Sequence, residues 1–397
     1  MNLEHTKSLG NVAIISSCSE DWGGSEELWG KSVPLLIAEG YTVTVYKSKI
    51  NKVHPEFIKL ANMKVSFVEI DIHRSFVQRN FKRVMDKLEQ LRGKNNTFTF
   101  INNPWVNNLI SLLNKNNHVF ALISQGINFD GLGYGYACYV LKLPYALVAQ
   151  KAVDFYWPGK SDRPMMNQVI KSAVACYFVS KHNLRLTEEQ FGARLKNSRI
   201  IFNPLKIGGI QPYPSTKNGL KLACVGRLFV LDKGQDILLR ILSTEKWKNR
   251  DISITFIGSG VDDEGLKEMA ALLGVENVKF AGQVKDIDEM WKQYHALILP
   301  SRSEGLPLSL VEAMAAGRIA IISKAGGNIE LIEEGMTAFS GHPNEESFEE
   351  AMELAWTQRE DWEEMGKTAA SHIAQLIPKS PEKDFVDHLL TSLHGKG

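Results

Sequence analysis

The sequence predicts an α/β protein of two Rossmann-like domains, each a parallel sheet wrapped by helices. Three observations carry that prediction. The chain opens on a strand, a helix and a second strand; another strand–turn–helix series starts at Lys221; and 397 residues are too many for one ordinary core. Chains of such length divide into domains of roughly 100–200 residues.

Residues 11–16 (Asn-Val-Ala-Ile-Ile-Ser) are a nearly unbroken apolar run, the pattern of a strand covered on both faces. A loop over 18–24 ends in Gly23-Gly24. Residues 25–39 then repeat apolar side chains at helical spacing, with Leu28, Val33, Leu36 and Ile37 inward. Gly40 stops that helix, and residues 41–46 form the next strand. A βαβ start implies a parallel sheet. It lacks the Gly-x-Gly-x-x-Gly dinucleotide fingerprint, which argues against a nicotinamide enzyme. Further strands are expected at 64–70, 98–102, 119–124, 145–149, 175–180 and 199–202. A basic helix is expected over 75–92, with an apolar stripe at Val77, Phe81, Val84, Leu88 and Leu91. Such a stripe suits packing on a sheet better than insertion in a bilayer. Asn203-Pro204-Leu205 through Gln211-Pro212-Tyr213-Pro214 reads as a linker. The expected domains are residues 1–205 and 206–378, with a C-terminal helix within 379–397.

The chemistry gathers in the second domain. Leu222-Ala223-Cys224-Val225 is a strand running into Gly226-Arg227-Leu228, and Asp232-Lys233-Gly234-Gln235-Asp236 opens the next helix. His295-Ala296-Leu297-Ile298-Leu299-Pro300 is a second buried strand. After it come Glu304 and Glu312, with seven residues between them, where that strand gives way to a helix. All four charged groups then stand at the carboxyl end of the sheet, where open α/β sheets bind ligands. Backbone N–H groups of Leu306, Leu308 and Ser309 at the helix start would offer a phosphate site. Arg227 and Lys233 suit a pyrophosphate, and the two carboxylates suit hydroxyls. Any one of these residues alone reads as solvated surface; together they point to a sugar nucleotide.

These pieces resemble the retaining glycosyltransferases of family 4, which have the GT-B fold. The resemblance rests on Gly226-Arg227-Leu228 with Lys233-Gly234, Phe256-Ile257-Gly258-Ser259-Gly260, Val278-Lys279-Phe280-Ala281-Gly282, Pro300-Ser301, the Glu304/Glu312 pair, and Gly23-Gly24-Ser25-Glu26 near the start. It covers nearly the whole chain and is strongest over 221–335. It implies two Rossmann-like domains facing a central cleft, with the C-terminal helix packed back on the first. The implied donor is a nucleoside diphosphate sugar of the UDP or GDP type. Arg227 and Lys233 would take the pyrophosphate, Glu304 the sugar and Glu312 the ribose. Further donor contacts are implied at Gly24, Gly258, Val284, Ser301, Gly305, Leu306 and Leu308. The implied reaction is transfer with retention to an acceptor hydroxyl, in polysaccharide, glycolipid or small-glycoside synthesis. No metal or cofactor is expected, because the arginine and lysine do a metal's work in GT-B enzymes. Trp22 and Gln150 fall on the acceptor side. Gln150 is a departure, since family members commonly place a histidine there, and an amide cannot titrate near neutrality.

Bulk properties bound the remainder. With 44% apolar and 23% charged residues, the chain has a globular composition. No apolar run approaches the ~18 residues of a membrane span, and the first residues lack a signal-peptide pattern. A cytoplasmic protein is expected, with the inner face of the membrane as a candidate peripheral docking surface and no nucleic-acid partner. Cys18, Cys138, Cys176 and Cys224 are widely spaced and expected as free thiols. Residues 1–205 carry 25 Lys/Arg against 16 Asp/Glu, a surplus of nine, while the remainder carries 21 against 29. A basic first domain suits an anionic acceptor or membrane. Trp22, Trp105, Tyr134, Tyr136, Phe155 and Trp157 are candidates for an aromatic acceptor platform. Two alternatives stay open: a catalytically silent nucleotide-sugar-binding partner, or another GT-B enzyme such as an epimerase.

Overall fold

A computed structural model describes residues 8–18, 20–70 and 103–395. The strand expected at 98–102 and the basic helix expected at 75–92 lie outside the described residues.

The first sheet contains β1 (Gly10–Ser16), β2 (Tyr41–Lys47), β3 (Ser66–Glu69), β4 (His118–Gln125), β5 (Tyr145–Ala149), β6 (Ala175–Phe178) and β7 (Ser198–Ile200). The second contains β8 (Leu220–Val225), β9 (Ile252–Ile257), β10 (Val278–Gly282), β11 (Ala296–Leu299), β12 (Ile319–Ser323) and β13 (Ala338–Gly341). Their spatial orders are 3-2-1-4-5-6-7 and 10-9-8-11-12-13. All pairings within both sheets are parallel. Two doubly wound α/β sheets are therefore present, as the apolar strand runs predict. In each, the chain order reverses beside the first strand, between β1 and β4 and between β8 and β11. Connections leave such a switch point in opposite directions, opening a crevice beyond the strands' carboxyl ends.

The described residues divide into two compact units. The first runs to Val179 and includes Asn183–Pro204 and the stretch from Ser380; the second is Ser180–His182 with Leu205–Lys379. In the first unit, both faces of the sheet are covered. Ile15, Ala121, Ile123 and Leu147 pack on one side, and Val12, Ile14, Leu122 and Val148 on the other, which is why these strands read as continuous rather than alternating apolar runs. The last helix, Pro381–Leu393, buries Phe385, Val386 and Leu389 against the first unit's core. Phe385 meets the Tyr177 ring edge-on at 4.9 Å, and the Tyr177 hydroxyl lies 2.8 Å from His388 Nδ1. The second core gathers Leu222, Cys224, Ile254, Phe256, Ile298 and Ile321 with Trp247 and Trp362. Burial pushes the Cys224 thiol up to about 12, so it stays an inert thiol.

Candidate active site

The switch point of the second sheet brings four of the sequence's candidate residues to one sheet edge. The register pairs Leu222 with Ala296 and Ala223 with Leu297, so the loops leaving β8 and β11 start side by side. Gly234 sits at φ 62° with the Pro300 carbonyl 2.2 Å from where a Cβ would stand. Only glycine lets the Lys233 turn lie this close to the end of β11. As a result Lys233 Nζ meets Glu304 Oε1 at 2.6 Å, with side chains 20% and 6% exposed. A second glycine contact works on the other side: Gly258, at φ 143°, would place a Cβ 1.9 Å from the Gly226 carbonyl. Arg227, 54% exposed in its side chain, stands 3.5 Å from Asp232 and over the Phe229 ring at 5.8 Å.

The two loops are stitched together. Arg302 forks onto Asp236 at 2.6 and 2.9 Å and also donates to the Val230 carbonyl. Burial by itself would raise the Asp236 carboxyl, but Arg302 and Arg240 hold it below the ordinary carboxylate value. The N–H groups of Arg302 and Ser303 both donate to the Asp232 carbonyl, at 2.8 and 3.0 Å. Ser301 is fully buried and Ser303 nearly so, and among the described residues neither hydroxyl has a hydrogen-bond partner. Gly305 and Leu306 lead to Pro307, the N-cap of the helix Leu308–Ala315, whose start no side chain caps. Glu312 lies on that helix, 6% exposed. Val284 sits past the edge strand β10, partly exposed, where Gly282 accepts from the Gly258 N–H.

Sequence reasoning missed three features here. Arg302 and Asp236 look like ordinary loop and helix charges until the fold pairs them. Gly326 and Gly327 support the glutamate loop from a distance: a Cβ on Gly326 would lie 2.0 Å from the Glu304 carbonyl, and Gly327 N–H donates to the Gly305 carbonyl. The tripeptide Asp286-Ile287-Asp288 has the spacing of a metal-binding Asp-x-Asp, and sequence reasoning passed over it. Asp286 caps the N–H of Glu289, while Asp288 accepts from Gly208 N–H and Gln211 Nε2. Both carboxylates are thus held by local backbone and side-chain donors.

In the first unit, Gly23 is the N-cap of the helix Gly24–Ala38. Glu26 reaches back to the Gly23 N–H at 3.1 Å and takes Lys47 at 3.1 Å, both side chains being fully buried. Gly24 is therefore set by a buried ion pair. Trp22 is occupied by packing: its ring lies 5.1 Å from Trp29, stacks on His54 and crowds Gly30, while Nε1 donates to Glu27 at 2.8 Å. Gln150 exchanges two hydrogen bonds with Asn203, at 2.7 and 3.3 Å.

Residues 210–372 match the family described as Glycosyl transferases group 1, fewer than half of the chain. D-rhamnosyltransferase WbpZ of Pseudomonas aeruginosa is 33% identical over 229 residues, covering 54% of this chain and 58% of that protein. An uncharacterized glycosyltransferase of Haemophilus influenzae is 35% identical over 117 residues, 29% of this chain and 33% of that one. The chain spans less than two thirds of the length of these curated relatives. Among solved structures, HepE of Anabaena in complex with UDP-glucose superposes with a TM-score of 0.71 at 16% identity, covering 96% of this chain and 100% of that one. TarM superposes with a TM-score of 0.71 at 11% identity, covering 97% and 99%. Likeness at such identities is one of fold. The two parallel-sheet units are those of GT-B glycosyltransferase structures, and residues 210–372 carry the group 1 domain.

Proposed function

We propose that this chain is a retaining glycosyltransferase of family 4. It moves a sugar from a nucleoside diphosphate sugar of the UDP or GDP type to an acceptor hydroxyl in glycan synthesis. The observation that carries this reading is the Lys233–Glu304 pair at 2.6 Å beside the β8/β11 switch point. It falls within the segment matching the group 1 family. The names of the relatives, a rhamnosyltransferase and an O-antigen biosynthesis glycosyltransferase of Escherichia coli, support the same class. UDP-glucose in the HepE structure supports the donor.

The glycosidic bond breaks toward the pyrophosphate, which gains negative charge. Lys233, Arg227 and the uncapped start of the helix Leu308–Ala315 attract that charge most strongly as it develops, so they favour the transition state over the bound donor. Lys233 turns from Glu304 to the phosphate. Glu304 is then left to accept a hydrogen bond from the donor sugar, and Glu312 takes the ribose hydroxyls. The acceptor oxygen attacks the face from which pyrophosphate departs and passes its proton to a phosphate oxygen, giving retention. These cations supply the positive field, so no metal ion is required.

Titration with UDP and GDP, then turnover of UDP-glucose and other sugar nucleotides in the presence of EDTA, tests the reading. Product anomeric configuration, read by NMR, tests retention. Loss of all activity with EDTA and its return with magnesium would count against the charge assignment. One observation favours a second reading, a silent nucleotide-sugar-binding partner: Gln150 offers no titratable group and its amide is held by Asn203. Tight nucleotide binding with neither hydrolysis nor transfer would select it.

A further inference from the structure

A cavity of about 710 Å³ opens in the first unit, at the carboxyl end of β4 beside the β1/β4 switch point. That volume lies within the roughly 300–1,000 Å³ typical of small-molecule sites. Its walls are mainly apolar and include Trp105, Phe129, Tyr134 and Tyr156. Tyr156 is held in place from behind. The fully buried Gln190 donates to the carbonyls of Val153 and Tyr156 at 2.8 and 2.9 Å and accepts from Asn128 at 2.9 Å. Two carboxylates, Asp130 and Asp162, join Ser48, Asn103 and Ser161 as its polar lining, and among the described residues no lysine or arginine lines it.

Asp130 is fixed by donors on both oxygens: Ser17 hydroxyl to Oδ1 at 2.8 Å and Ile127 N–H to Oδ2 at 3.1 Å. It remains open to solvent, yet the surrounding protein pushes its carboxyl up to about 6 despite these bonds. A carboxylate held this way accepts a hydrogen bond from a hydroxyl and repels a phosphate or carboxylate. The positive surplus of residues 1–205 is thus absent from the described lining of this cavity.

We propose that the cavity binds the acceptor as an uncharged sugar ring, stacked on Trp105 and Tyr134 with a hydroxyl hydrogen-bonded to Asp130. The inference rests on the glycosyltransferase reading for the word acceptor, and on the cavity itself for the ligand's chemistry. It is an alternative to the anionic acceptor that the charge distribution suggested. Aromatic walls match the C–H faces of a pyranose, and few polar groups in an apolar pocket fix orientation. Two carboxylates make an anionic ligand the disfavoured one, which is specificity by repulsion.

The test uses p-nitrophenyl glucoside, galactoside, mannoside and N-acetylglucosaminide with their 6-phosphates, titrated by calorimetry and saturation-transfer NMR. At least one uncharged glycoside is expected to bind, with its 6-phosphate at least tenfold weaker. Trp105→Ala and Asp130→Asn should each weaken that binding at least tenfold, with cooperative unfolding retained and UDP affinity close to the parent's. Equal or tighter binding of the phosphates, no binding by any uncharged glycoside, or parental affinity in both variants overturns the proposal. UDP titration separates the two failures. Glycoside binding without UDP binding would sink the donor reading and leave the cavity's ligand class standing, while the reverse would do the opposite.

Discussion

Replacing Lys233 with alanine should affect both stability and donor chemistry, and the geometry separates the two. At 2.6 Å, the gross attraction between Lys233 and Glu304 is about 6 kcal/mol at an effective dielectric near 20. Most of it offsets the desolvation of two side chains that are only 20% and 6% exposed. Lys233→Ala strands an almost buried carboxylate, so unfolding free energy should fall by about 1–3 kcal/mol. Glu304→Gln keeps an acceptor for Lys233 and should cost about 1 kcal/mol or less. In the double variant Lys233→Ala/Glu304→Gln no charge is stranded, and the loss should be smaller than the sum of the single losses. On donor chemistry, Lys233→Ala removes charge stabilisation of about 2–4 kcal/mol, or 10²–10³ in rate. Urea unfolding gives the stability cycle; turnover at saturating sugar nucleotide gives the second number. Strict additivity in the cycle would refute the pair. Parental turnover in Lys233→Ala would refute its proposed role, whatever the stability result.

Glu312→Ala should weaken bare UDP by calorimetry, because its proposed target is ribose, whereas Glu304→Gln should chiefly lower turnover of the whole donor; equal weakening of bare UDP by both contradicts the division. Arg318 is buried among backbone carbonyls of Gln211, Pro212, Trp291, Tyr294, Ala316 and Gly317, and burial lowers it only to about 10, so it stays charged at neutrality. Arg318→Met should cost about 3–5 kcal/mol in urea unfolding by leaving those carbonyls unpaired, and a loss under 1 kcal/mol would show that water replaces the guanidinium. Asp130 holds its proton to about pH 6 in the folded chain against about 3.9 when unfolded. The folded state therefore binds more protons between those values, and its stability declines as pH rises from about 4 to about 6, then levels. Solvent access keeps the slope shallow. Melting temperatures across that range should show Asp130→Asn losing this decline, and an identical profile would contradict the assignment.

Much of the fold is readable in one dimension because both sheets are parallel and doubly covered. Burial on two faces writes β4, β5, β11 and β12 around short apolar runs. The switch-point charges are equally legible, since Gly226-Arg227 and Lys233-Gly234 combine a backbone requirement with a charge. What stays illegible is pairing across the chain. Nothing near Gln150 announces Asn203, and nothing near Glu304 announces Gly326. The aromatic candidates show the same limit: Trp105 and Tyr134 reach the cavity, while Trp22, with the same chemistry, is spent on Trp29, His54 and Phe57.

The glycines explain why the charged motif is spaced as it is. Gly234, Gly258 and Gly326 each have positive φ, and each has a carbonyl oxygen within 2.2 Å of its absent Cβ. In order, those carbonyls belong to Pro300, Gly226 and Glu304. Glycine is thus required at these three close approaches between loops at the sheet edge, and the charged residues stand beside them. Lys233 precedes one such glycine, Arg227 follows one such carbonyl, and Glu304 supplies another. A side chain at any of the three would separate the loops without removing a charge. The charged groups are held at a separation set by backbone contact rather than by their own attraction, and the proposed pyrophosphate role would require this, because Lys233 would have to leave Glu304 without the loops following it.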